Sequence, residues 1–201
     1  MAQIAAFGSL FAAVALVASC SGSPSAPTST STPGATATLP PSSVAASTTF
    51  TSAKYGYTLR LPAQWTGVSA VNKWDRRSGL DLESFEVDKF FSSVTGKGSY
   101  GVAGRWNGDL AAYTTFLIAF NQRTHGDTCP PKPNTRNPVT IGDQPGVLLA
   151  YNCGILINIA ATVHHGVAYQ FVFRDGGVAA ASDPADHATF LQILRSVHFR
   201  S

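Results

Sequence analysis

Between Val139 and Phe173 the chain repeats one pattern, in which runs rich in Val, Ile, Leu, Tyr and Phe are cut by Gly, Pro, Asn and a His164-His165-Gly166 corner. The runs Val139–Ile141, Gly146–Tyr151, Ile155–Val163 and Val167–Phe173 are short and bounded by turn residues. They predict consecutive antiparallel strands and not one long helix. This meander is the expected core.

The rest of the chain is read against it. Thr49–Ser52 and Tyr57–Leu61 flank Lys54-Tyr55-Gly56 and predict a hairpin, which Pro62 ends because proline cannot donate to a ladder. Val71 to Val94 follows neither period and reads as strand pieces in irregular loop, with Lys73-Trp74-Asp75 a short strand. Ser99–Trp106 predicts another strand. Leu110, Tyr113, Phe116, Leu117 and Phe120 recur at helical spacing behind the capping segment Asn107-Gly108-Asp109, so a helix is expected over Asp109–Gln122. Gln122 to Pro138 then reads as a long polar loop holding Cys129-Pro130-Pro131-Lys132-Pro133. Asp183 caps a second helix, Pro184–Arg195, with Phe190, Leu191 and Leu194 as its buried stripe, and Ser196–Phe199 is a last strand.

Charge divides the chain in two. All 14 Lys and Arg and all 11 Asp and Glu lie from Lys54 onward. The remaining stretch of roughly 150 residues suits one domain with a single core. The net charge of +3 is scattered, Arg76-Arg77 being the one adjacent basic pair. That spread lacks the clustered footprint of nucleic-acid binding, and no nucleic-acid partner is expected.

Ile4–Ala18 is apolar and uncharged, and falls short of the roughly 20 residues that span a bilayer. It predicts a signal peptide over residues 1–19, although Met1 to Gln3 has no Lys or Arg. Val17-Ala18-Ser19-Cys20 resembles the bacterial lipobox. The resemblance implies that Cys20 carries the lipid, with the membrane as partner and the domain on the extracytoplasmic side. An uncleaved anchor is the alternative, with the same sidedness. From Cys20 to Thr49 the chain is Ser, Thr, Pro, Ala and Gly with little else. It predicts a disordered tether with a span on the order of 30 Å, leading to a globular domain at 50–201.

Tyr55-Gly56-Tyr57-Thr58-Leu59-Arg60-Leu61-Pro62-Ala63-Gln64-Trp65 resembles the opening of PsbP-like domains. Phe190 to Phe199 resembles their close, and that of LpqN-type actinobacterial lipoproteins. The resemblance covers about residues 49–201. It implies a single α+β domain in which an antiparallel sheet is flanked by helices as an α/β/α sandwich, with an accessory or binding role and no shared reaction.

Candidate chemistry is sparse. If Cys20 is lipidated, Cys129 and Cys153 remain as an even pair in an oxidising compartment and are expected to form a disulfide. The histidines His125, His164, His165, His187 and His198 lack the His-X-X-X-His spacing, and no Cys-based zinc pattern exists. No metal or other cofactor is expected. If the strand persists into the turn, His164 and His165 are expected on opposite faces and make a poor chelating pair. Neither Gly-X-Ser-X-Gly nor Ser-X-X-Lys occurs, so no catalytic residue is assigned. The expected function is a membrane-anchored, non-catalytic domain that binds a protein, glycan or lipid of the envelope. Contact is placed first on the loop Arg123–Asn137, with Arg123, His125, Asp127, Lys132 and Arg136, and second on Trp74, Arg76 and Arg77. The alternative is an envelope hydrolase using the loop histidine His125 and an acid such as Asp127.

Overall fold

The computed structural model describes residues 47–175 and 184–200. By its internal contacts the chain divides into Met1–Ser42 and Ser43–Ser201, and every described residue belongs to the second unit. The leader, Cys20, almost all of the tether and the Asp183 cap lie outside the described residues. No helix among the described residues is long and apolar enough to cross a membrane.

The predicted hairpin forms from β1 (Thr48–Thr51) and β2 (Tyr57–Leu61), so the strand takes up the last residues assigned to the tether. Gly56 supplies the left-handed backbone its turn requires, at φ +70°. Pro62 and Gln64, the latter at φ +69°, break the chain away from β2. It restarts as β3 (Trp65–Val68), followed by β4 (Asp88–Ser92) and β5 (Gly98–Arg105). The helix α1 (Leu110–His125) crosses to the expected meander of β6 (Thr135–Ile141), β7 (Gln144–Asn152), β8 (Leu156–His164) and β9 (Val167–Asp175). The helix α2 (Pro184–Arg195) and the short β10 (His198–Phe199) finish the fold.

One sheet was expected; two are present. Seven strands run in the order β3-β4-β5-β9-β8-β7-β6, and β1-β2-β10 form a separate three-stranded sheet, all antiparallel. Alternation along β9 sorts the two faces of the large sheet. Gln170, Val172 and Arg174 share the face covered by α1, whose Tyr113, Leu117 and Phe120 are buried. Tyr169, Phe171 and Phe173 point the other way. There Phe173 stacks on Phe190 of α2 at 5.5 Å, and Phe171 meets Tyr57 of the small sheet edge-on at 5.2 Å. Both edges of the large sheet are blunted. β3 has four residues, and β6 carries Pro138, which an edge strand tolerates because its missing N–H faces no partner.

Several boundaries differ from expectation. Helix α1 runs three residues beyond Gln122, because Phe120 and Asn121 keep packing inward and no proline intervenes before Pro130. Arg123 and His125 are therefore helical. β6 begins at Thr135, so Arg136 and Asn137 belong to a strand and the connecting loop is shorter than expected. Lys73-Trp74-Asp75 is irregular rather than a strand. On α2 the buried stripe is Phe190, Ile193 and Leu194, with Leu191 only partly covered. His165, at φ +47°, ends β8 instead of extending it, and its ring stacks on that of His164 with centroids 3.9 Å apart. The two imidazoles therefore lie together and not on opposite faces.

Cys129 and Cys153 are joined, with an S–S distance of 2.07 Å across 24 positions of sequence. The bridge ties the loop after α1 to the turn between β7 and β8. Asn134 reinforces it, its N–H donating to the Ala150 carbonyl at 2.8 Å and its side-chain oxygen accepting the Asn152 N–H at 2.8 Å.

Candidate functional site

At the end of the large sheet where β5 stops and β9 starts, the irregular segment 69–87 folds over the strand termini. Backbone geometry holds it there. The Ala70 N–H donates to Oδ1 of Asp88, fully buried on β4, at 2.7 Å, and the Val71 and Asn72 N–H groups both donate to the Phe85 carbonyl. Tyr55, from the β1–β2 turn, reaches across. Its hydroxyl accepts the Trp74 N–H at 2.9 Å and donates to the Glu86 carbonyl at 2.5 Å. Burial pushes the Tyr55 hydroxyl up to about 12, against the lowering effect of the Trp74 bond, so it stays a neutral donor at any physiological pH.

Trp74 is 5% exposed, its indole N–H donating to the Ser78 carbonyl at 3.1 Å and its ring edge-on to Phe120 at 5.4 Å. It is a wall of the site more than a contact surface. Two residues on, Arg76 sits at φ +66°, a left-handed conformation that costs a side-chain-bearing residue about 1–2 kcal/mol. The bend carries its guanidinium over the Trp106 ring, 5.9 Å from the centroid. Trp106 is fixed from three sides: its backbone N–H donates to the Gly166 carbonyl at 2.8 Å, its indole N–H to the Asp109 carbonyl at 3.2 Å, and its ring packs on Tyr113 at 5.0 Å. Asp109 itself caps α1, accepting the Ala112 N–H at 2.8 Å.

The result is a cleft with two adjoining lobes. The first, about 450 Å³, is lined by Lys54, Lys73, Asp75, Arg76 and Arg105 together with Tyr55, Trp74 and the ends of β5 and β9. The second, about 530 Å³, is lined by Arg76, Arg105, Trp106, Asn107 and Gly108. Four cations face one acid, and the Asp75 carboxylate already accepts the Arg77 N–H at 2.8 Å. Lys97 pairs with Asp186, but Lys54, Lys73, Arg76 and Arg105 have no ion-pair partner among the described residues. Such a cleft suits an anion, because guanidinium groups offer forked donors to carboxylate, phosphate or sulfate oxygens.

Of the second group expected from sequence, Trp74 and Arg76 line this cleft while Arg77 is exposed beside it. The first group is spread over the end of α1, the loop after it and the start of β6. Arg123 lies over the Phe120 ring at 5.3 Å, Asp127 and Lys132 are exposed on the loop after α1, and Arg136 is exposed on β6. His125 turns inward, onto a cavity of about 20 Å³ that it lines with Asn121, Gln170 and Arg174. Burial first, and the Arg174 charge second, hold its imidazole below the ordinary value, while Asp81 opposes them. Arg174 lines the same cavity, whereas Asp127 is exposed. Among the described residues no group of three or more His, Cys, Asp or Glu is arranged to hold a metal. Lys54, Lys73, Arg105 and Trp106 were not singled out from the sequence as contacts, since 51 positions separate Lys54 from Arg105 (105 − 54) and no local motif links them.

No family model matches the chain, and no characterised protein matches its sequence. A crystal structure from Bacteroides thetaiotaomicron aligns at a TM-score of 0.39 and 12% identity, over 72% of this chain and 45% of that one, too low to carry an argument. The solution structure of cyanobacterial PsbP (CyanoP) from Synechocystis sp. PCC 6803 aligns at a TM-score of 0.53 and 14% identity, covering 81% of this chain and 97% of that one. At that identity the likeness establishes the fold: two antiparallel sheets and two helices in the PsbP-like arrangement, as one α+β domain.

Proposed function

We propose that the chain is a lipid-anchored, extracytoplasmic accessory domain that binds an anionic component of the envelope in the basic cleft, without catalysis. The observation that carries this reading is the convergence of Lys54, Lys73, Arg76 and Arg105, four cations from three separate parts of the chain, with no ion pair among the described residues. Their charge is available to an incoming anion, and Tyr55, Asp88 and Trp106 make the cleft rigid enough for binding to cost little ordering. The lipid anchor and the kinship with LpqN-type lipoproteins rest on Val17–Cys20 and on the Phe190–Phe199 pattern. Within the domain, Thr48, where the chain enters, lies at the opposite end of the β1–β2 hairpin from Lys54. A chain tethered through its N-terminus would therefore present the cleft away from the point of attachment. The hydrolase alternative, with His125 and an acid such as Asp127, is less well supported, because His125 shares a small cavity with Arg174 while Asp127 is exposed on the loop after α1.

The test has two arms. The full chain carrying Cys20→Ala, and so without the lipid, should still sediment with isolated envelopes, and adding the double reversal Lys73→Glu, Arg105→Glu should abolish this while adding Arg136→Glu, on the remote edge strand, should not. Equal retention of the double reversal would refute the cleft as the binding site. Cys20→Ala should eliminate [³H]palmitate labelling, and undiminished labelling would remove the anchor.

A further inference from the structure

The two lobes are not independent pockets, because Arg76 and Arg105 line both. They stand at the junction, with Lys54 and Lys73 on one side and Trp106 and Asn107 on the other. Each lobe alone lies within the usual range of about 300–1,000 Å³ for a small-molecule site. One small anion held between the two arginines would leave the lysines of the first lobe uncompensated and make no use of Trp106 and Asn107 in the second. A ligand that repeats its charge along a chain satisfies both.

The second lobe adds a chemical clue. Trp106 is half-buried and immobilised, with Phe116 5.4 Å and Tyr113 5.0 Å from its ring, and it stands beside an exposed asparagine amide. Glycine at 108 keeps that wall low, since a Cβ there would come within 2.9 Å of the indole nitrogen and 3.2 Å of the Ala112 methyl. An aromatic ring next to an amide, adjoining two arginines, matches a sugar unit: its apolar C–H face lies on the part of the indole left open beside the Arg76 guanidinium, its hydroxyls meet Asn107, and its acidic substituent meets Arg76 and Arg105. A bare phosphate or sulfate uses none of the first two.

We infer that the cleft takes a linear anionic glycan, with one acidic group on the Arg76–Arg105 pair, a neighbouring sugar ring on Trp106, and the next acidic group on Lys54 and Lys73. This rests on the anion-binding reading above and narrows it to a polymer of charged sugars.

The experiment is calorimetric titration of the full chain with heparin-derived di-, tetra- and hexasaccharides, with inorganic sulfate, and with a single-stranded oligonucleotide of equal charge. Affinity should rise at least tenfold from disaccharide to hexasaccharide and exceed that for the oligonucleotide. The exposed double variant Lys54→Ala, Lys73→Ala should lose most of that gain with its melting temperature unchanged. Trp106→Phe, which keeps an aromatic in the wall, should weaken the saccharides several-fold and leave sulfate unchanged. If sulfate or the disaccharide binds as tightly as the hexasaccharide, the polymer inference falls and the anion cleft survives. Tighter binding of the oligonucleotide overturns the choice of a glycan. No binding of any probe removes the proposed function as well.

Discussion

The Tyr55 hydroxyl accepts the backbone N–H of Trp74 at 2.9 Å and donates to the Glu86 carbonyl at 2.5 Å, so one side chain of the β1–β2 turn ties together two distant points of the segment that carries Lys73 and Arg76. The cleft is thereby built on a hydrogen-bond hub and not on a free loop.

Replacing that hub tests it. Tyr55→Phe leaves the ring in place and orphans a partly buried N–H and C=O. A loss of about 1–3 kcal/mol is expected in chemical denaturation. The Trp74 amide should exchange with solvent faster in the variant, and affinity for anions should fall. Unchanged exchange at Trp74 would show that the segment is held by its other bonds.

Arg76 offers a sharper separation of stability from binding. Its φ of +66° is natural for glycine, so Arg76→Gly relieves roughly 1 kcal/mol of backbone strain. It also deletes the cation over Trp106, worth about 0.5–1 kcal/mol at an exposed site. The two offset. Denaturation midpoints should coincide within error while anion affinity drops at least tenfold, the signature of strain kept for function.

Alkaline pH should act through tyrosine. All six tyrosines are displaced upward, chiefly by burial, with Tyr55, Tyr100 and Tyr151 each pushed up to about 12. A raised folded-state value means that the neutral form is favoured in the native protein. The stabilisation is complete below the unfolded value near 10 and is lost as pH climbs from 10 towards 12. Absorbance at 295 nm should show little tyrosinate at pH 10 in the folded protein, and melting temperature should decline above that pH. Ordinary titration of most tyrosines near 10 would contradict the burial described above.

The disulfide should act mainly on the unfolded chain. Closing a loop of about 25 residues contributes roughly 3–4 kcal/mol in the chain-entropy description. The double variant Cys129→Ala, Cys153→Ala should lose about that much in guanidinium unfolding, whereas anion binding at the far cleft should persist in the folded fraction. Loss of binding without loss of stability would mean that the loop after α1 belongs to the site.

Periodicity alone laid out most of the elements. The β6–β9 meander, the first hairpin, the α2 boundaries and the Cys129–Cys153 pair follow from alternation, turn residues and an even cysteine count, all of which are local or nearly so. The second sheet was not legible, because β10 has two residues and pairs with β2 about 140 positions earlier (198 − 58), a contact that leaves no trace in local spacing. The end of α1 was misplaced for a related reason. Arg123 and His125 look like loop residues by polarity, yet the inward packing of Phe120 and Asn121 carries the helix past them.

What the amino-acid order determined, then, was the list of strands and helices and the chemistry available: many apolar runs, scattered cations and no nucleophile motif. Which cations would meet was decided only in three dimensions. Lys54 sits in a hairpin turn, Lys73 and Arg76 in an irregular segment, and Arg105 at a strand end. The antiparallel register of β5 against β9 and the reach of Tyr55 to Trp74 bring them to one rim. Burial of side chains between the layers fixes that register with no part played by the charged residues gathered at the sheet's end, which therefore carry no pattern of their own along the chain.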